Sequence, residues 1–247
     1  MLPTISLGPL AIPLAPLLVL VGIWLGLLAA ERSALRLGLK SDHIDSLVLI
    51  SLVSGLVGAR LAYVLRFPQA FIASPLSLLS RETGLLDPWG GVLVGVIAGL
   101  AYAQRRSLPF WPTLDALTSG LAVFAVALGF SHLASGASFG SPTTAPWGIL
   151  LWGERRQPVQ VYEIILAAAI LTFILRYGPR FSQRVPGLTF LSFIALTALA
   201  RLFLEAFRGD SVLLPGGFRS AQVIAWLILA LSLTIIYQRL RPRPTGE

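Results

Sequence analysis

Of the 247 residues, 55% are hydrophobic and 12% charged, against about 45–50% and about 25% in an ordinary soluble domain, so too few charges remain to cover a water-facing surface. The net charge of +8 is spread over short basic runs between apolar segments and forms no basic stripe or base-stacking platform, which argues against nucleic acid as a partner. Zero cysteines exclude disulfides, thiolate metal sites and a cysteine nucleophile, and no metal or cofactor is implied.

An all-α integral membrane protein follows, with about seven transmembrane helices of about 20 residues, the length that crosses about 30 Å of hydrocarbon. The first span is predicted over 12–30. Met1 to Leu10 carries no Lys or Arg, so the basic start of a cleaved signal peptide is missing, and the segment reads as a retained helix. The second span, 44–65, contains Arg60 and Tyr63. The third, 90–104, is the shortest, and Trp89, Gly90 and Gly91 predict a re-entrant or broken turn at its start. The fourth, 114–134, opens on Asp115 and carries His132 near its end. The fifth, 159–175, starts with Gln160, Tyr162 and Glu163. The sixth, 187–207, holds Arg201 and Glu205 one turn apart, with Arg208 continuing their face. The seventh covers 220–238. Longer loops rich in Pro, Ser and Gly separate spans 2 and 3 and spans 4 and 5. No internal repeat or soluble domain interrupts residues 1–247, which read as one polytopic membrane domain.

Basic residues set the orientation. The loops on the side of the N-terminus hold Arg66, Arg81, Arg155, Arg156, Arg208 and Arg219. The other side holds Arg32, Arg36, Lys40, Arg105, Arg106, Arg176, Arg180, Arg184, Arg239, Arg241 and Arg243. That excess predicts an outside N-terminus and a cytoplasmic C-terminus. Small residues at four-residue spacing, Gly22 with Gly26 and Gly91 with Gly95 and Gly99, predict close helix packing.

A charge inside the bilayer costs about 2.5–3.5 kcal/mol on insertion scales, so ionisable groups there mark function unless they serve packing. The predicted topology brings His132, the Gln160–Glu163 turn, the Arg201–Glu205–Arg208 face and the start of span 3 to one depth in the outer leaflet. Packing roles compete at each position. Arg201 and Glu205 neutralise each other as an i,i+4 pair, and Arg208 can snorkel to headgroups. Residue chemistry alone reaches an outer-leaflet anionic-lipid or proton site.

The order of these pieces resembles the bacterial prolipoprotein diacylglyceryl transferase family. Gly58-Ala59-Arg60-Leu61-Ala62-Tyr63 is similar to its Gly-Gly-Arg-x-x-Tyr segment, and Gly90-Gly91 to its His-Gly-Gly start of span 3. Asp115 matches an aspartate opening span 4. Phe139-Gly140-Ser141-Pro142-Thr143 and Pro146-Trp147-Gly148 resemble its second long loop. Pro158-x-Gln160-x-Tyr162-Glu163 and Arg201-x-x-x-Glu205-x-x-Arg208 resemble its next two motifs, and Gln222 its last. The chain departs from the pattern at Trp89 and Gln157, both histidine in the family. It departs again at His132, the nearest match to an arginine, across Ala134 to Ser138, and at Thr197, a tyrosine in the family.

The resemblance implies a bacterial plasma-membrane enzyme that moves diacylglyceryl from phosphatidylglycerol to the thiol of a lipobox cysteine in a preprolipoprotein, releasing glycerol-1-phosphate. It implies catalytic roles for Glu163, Arg201, Glu205 and His132, with Glu163, Glu205 and His132 the possible bases. It implies substrate binding by Arg60, Tyr63, Gln160, Tyr162 and Arg208. The departures leave a second reading beside it: a catalytically silent paralogue that binds lipid or docks as a subunit of a membrane complex.

Overall fold

The computed structural model describes residues 4–7, 10–73, 84 and 86–241; Arg81 and Arg243 of the charge count lie outside them. Helices α1 (Leu14–Arg36), α2 (Ser41–Arg66), α4 (Pro88–Arg105), α5 (Phe110–Ser135), α6 (Val159–Arg184), α7 (Leu188–Glu205) and α8 (Ser220–Leu240) correspond to the seven expected spans, with a short α3 (Pro68–Ala73) after the second. Six of them, all but α3 and α4, are long and apolar enough to cross a membrane. Two antiparallel hairpins add β1 (Thr4–Leu7) to β2 (Leu10–Pro13) and β3 (Ile149–Leu151) to β4 (Glu154–Arg156).

Local chemistry explains where these elements depart from the predicted bounds. Pro13 is extended, at φ −67° and ψ 132°, and holds the start of α1 back to Leu14. Pro16 falls in the first turn, where a missing N–H has no helical partner to lose. At the start of α4 the predicted broken turn is instead a capped helix. Asp87 accepts from Gly90 N–H at 2.9 Å, and Pro88 takes the first helical position. Helix α6 runs past residue 175 to Arg184 despite Pro179. A neighbouring element steadies that turn: Thr189 Oγ1 donates to the Gly178 carbonyl at 2.8 Å and lies 2.7 Å from Ser182 Oγ.

The chain divides into two compact units, residues 38–113 and residues 1–37 with 114–247. In the first, α2 and α4 run antiparallel through a seam of small residues. A Cβ on Gly95 would stand 2.8 Å from the Ser51 carbonyl oxygen, and one on Gly91 would stand 3.0 Å from that of Gly55. The glycine spacing read from the sequence is therefore a packing device.

In the second unit α1 lies against α5 through Gly26 and Gly120, where a Cβ on either would meet the other's carbonyl oxygen at 2.9 or 2.5 Å. Ser33 Oγ lies 2.7 Å from Ser119 Oγ near one end of this pair, and Ser131 Oγ donates to the Ala15 carbonyl at the other. Helix α7 starts beside the start of α5, through Asp115, and beside the end of α6, through Thr189. Arg239, near the end of α8, donates to the Pro186 carbonyl. One end of the unit thus collects Arg32, Arg36, Arg176, Arg180, Arg184, Arg239 and Arg241. The opposite end collects the close of α5, the start of α6, the close of α7 and the start of α8.

Candidate functional site

That opposite end brings together seven of the nine residues singled out in the sequence. Helix α5 delivers His132 and the first turn of α6 delivers Glu163, with His132 Nδ1 2.9 Å from Glu163 Oε2. The two side chains remain 24% and 18% accessible, enough for a reactant to reach them. Three residues before Glu163, Gln160 is completely buried. Its Nε2 donates to the Ala137 carbonyl at 2.9 Å, while its Oε1 has no hydrogen-bond partner among the described residues.

The next helix supplies the charges. Glu205 is 1% exposed, with Oε2 3.4 Å from Arg201 Nε and 3.7 Å from Arg208 Nε. Its i,i+4 and i,i+3 spacing to the two arginines puts all three on one face. Arg201 keeps 39% of its side chain accessible and lies within electrostatic range of Glu163. The Arg208 fork is engaged by Asp210, through bonds of 2.8 Å from both Nε and an Nη. Arg219 donates to the carbonyls of Glu205 and Arg208 and so fastens the start of α8 to the close of α7. Asp210 and Arg219 carried no motif in the sequence. Asp210 was legible only as a carboxylate two residues beyond an arginine.

The loop from 136 to 158 wraps this cluster. Ser141 N–H donates to the Phe207 carbonyl and Gly209 N–H to that of Phe139, stitching the loop to the close of α7 at 2.8 and 3.0 Å. A side chain on Gly140 would run into Gln157, with Cβ atoms 2.7 Å apart, so the backbone approach requires glycine there. Trp147 Nε1 donates to Tyr162 Oη at 2.9 Å, and Tyr162 donates to Gln157 Oε1 at 3.1 Å. Gln157 Nε2 in turn donates to Thr143 Oγ1 at 2.9 Å. The Tyr162 ring meets Phe207 edge-on, with centroids 5.9 Å apart. Arg156 lies over the Phe139 ring at 5.1 Å.

Arg60 and Tyr63 belong to the other unit. There Tyr63 lies against Phe67 and Phe71, with centroids 4.9 and 6.2 Å apart, and the Arg60 guanidinium is 5.9 Å from the Phe71 ring centre. In the same unit Trp89 is 81% exposed.

The second unit's cluster combines an accessible imidazole–carboxylate pair, an accessible guanidinium and an unanswered buried acceptor. Such a set can hold an anion and take up a proton beside it.

Comparison with known proteins agrees with this chemistry. The sequence profile of the family described as "Prolipoprotein diacylglyceryl transferase" matches residues 3–238. A protein of Clostridioides difficile named phosphatidylglycerol–prolipoprotein diacylglyceryl transferase is 31% identical over 85% of this chain and 83% of its own length. Proteins of the same name from Thermus thermophilus and Geobacter sulfurreducens are 31% and 32% identical. They are covered over 96% and 86% of their lengths, by 94% and 85% of this chain.

Proposed function

The chain belongs to the prolipoprotein diacylglyceryl transferase family, and from that membership we propose that it moves diacylglyceryl from phosphatidylglycerol to a lipobox cysteine thiol. The setting is a bacterial plasma membrane, in keeping with the bacterial relatives. The observation that carries the reading is the 2.9 Å His132–Glu163 pair in the same cluster as Arg201.

The reaction forms one S–C bond and breaks one C–O bond. The thiol proton must leave before or during attack, and the departing glycerol-1-phosphate gains a negative charge. With Nδ1–H donating to Glu163, the His132 Nε2 lone pair is the acceptor for that proton, and Glu163 stabilises the imidazolium that forms. Arg201, the more accessible arginine of its face, holds the phosphate as charge builds on it. Glu205 is sealed from solvent, so its role is to position Arg201 and Arg208 rather than to act as base. Arg208, engaged by Asp210, shapes the field, and Gln160, as sealed as Glu205, anchors the Ala137 carbonyl and so holds the loop against the site. Tyr162 is held by Trp147 and Gln157 as one wall of the site.

The alternative of a silent docking subunit gains no support, since the relatives reported above carry the enzyme's name. Steady-state transfer from labelled phosphatidylglycerol to a lipobox peptide tests the assignment. His132→Gln should lower kcat by about 10²–10⁴-fold, the usual worth of a general base. Arg201→Ala should lower kcat/KM by about 10²–10³-fold, as loss of one charge-stabilising donor does. Wild-type kcat in the His132 variant would remove the imidazole from the chemistry.

A further inference from the structure

Two loops at the His132 end of the second unit expose apolar side chains outside any membrane-spanning helix. On the β3–β4 hairpin Leu150 is 75% exposed, with Trp147 and Trp152 exposed beside it. Trp152 and Gly153 form its two-residue turn at φ 51° and 83°. Such turns favour Asn or Gly, because a Cβ in that region costs about 1–2 kcal/mol. One edge of the Trp152 indole is held by the protein, with the Phe139 ring edge-on at 4.8 Å and the Arg156 guanidinium at 5.9 Å, while the side chain stays 61% exposed. Leu150 pairs across the ladder with Arg155, which sets an apolar side chain and a guanidinium next to each other on one face.

The second loop carries Val212, Leu213, Leu214 and Phe218, all exposed. It folds back on itself: Leu214 N–H donates to the Phe218 carbonyl at 2.7 Å and Ser220 N–H to that of Val212 at 2.9 Å. Gly216 and Gly217 supply the left-handed turn. The loop leads directly into α8, whose Ile224, Trp226 and Leu227 are exposed on a spanning helix.

Scattered exposed leucines need no explanation, but this run is consecutive and continuous with an exposed apolar helix face. We propose that both hairpin loops are seated in the headgroup and upper acyl layer of an anionic leaflet, so that the His132 end of the second unit lies at lipid level. Three observations carry this. The second loop joins the apolar surface of a helix long and apolar enough to cross the membrane. The first hairpin exposes Trp147, Trp152 and Arg155, the aromatic and basic side chains that membrane interfaces select. Each hairpin also pairs backbone groups internally, which chain leaving water must do. The inference does not depend on the activity proposed above, because its test reads position rather than turnover.

The absence of native cysteine allows single nitroxide labels at Leu150→Cys and Leu213→Cys without other changes. In nanodiscs containing phosphatidylglycerol, both labels should be open to oxygen and shielded from a water-soluble nickel chelate. Nickel access at either label equal to that of a label on an unfolded peptide would overturn the proposal. Shielding that appears only after a lipobox peptide is added would also overturn it, by assigning the surface to the peptide.

Discussion

The Asp115 carboxylate accepts from the N–H of Gly187 at 2.6 Å and of Phe190 at 2.9 Å. These are the N-cap and N3 donors of α7, so a side chain on α5 meets both needs that a capping box meets from within a helix. Asp115→Ala would leave the buried Gly187 donor unanswered, at about 1–3 kcal/mol, and the part-buried Phe190 donor at less. The expected result is a lower thermal midpoint in detergent for Ala than for Asn, which keeps one acceptor. An Ala variant melting with the wild type would show that the cap contributes nothing. The sequence marks Asp115 as a charge at the start of a span and as a match to a family aspartate, without its partners. Its partners lie more than seventy residues away, and no local spacing could reveal them. His132, Glu163, Arg201 and Glu205 were legible because charge is expensive in lipid and the alternation of spans brings their helix ends together. That Arg208 is engaged by Asp210 was not legible, since the pairing depends on how the chain turns after α7.

At the scale of the elements, apolar runs located all seven long helices, and four-residue glycine spacing located the seams Gly26–Gly120 and Gly95–Ser51. What failed were ends and turns. Hydropathy stops at the edge of the apolar run, whereas helical hydrogen bonding does not, so α6 continues to Arg184. Trp89-Gly90-Gly91 looked like a break because two glycines follow a bulky ring. Asp87 and Pro88 together make a better helix start than those glycines make a break, and the glycines serve close contact with α2. The β3–β4 hairpin was hidden because its turn is Trp-Gly rather than Asn-Gly.

Over the whole molecule, the arginine-rich end of the second unit opposes the end that holds the His132–Glu163 pair. We propose that the former faces the cytoplasm and the latter the outside, following the bias of basic residues. In intact spheroplasts an impermeant maleimide should label Thr144→Cys and spare Lys40→Cys; the reverse pattern would invert the topology. We propose that this chain is an active transferase despite Trp89, Gln157 and Thr197. The most direct test mixes purified protein in phosphatidylglycerol nanodiscs with a lipobox peptide and follows both products. The expected products are a thioether-linked diacylglyceryl peptide and glycerol-1-phosphate in equal amounts, both falling together in the Arg201→Ala variant. Phosphatidylglycerol bound without either product would contradict it.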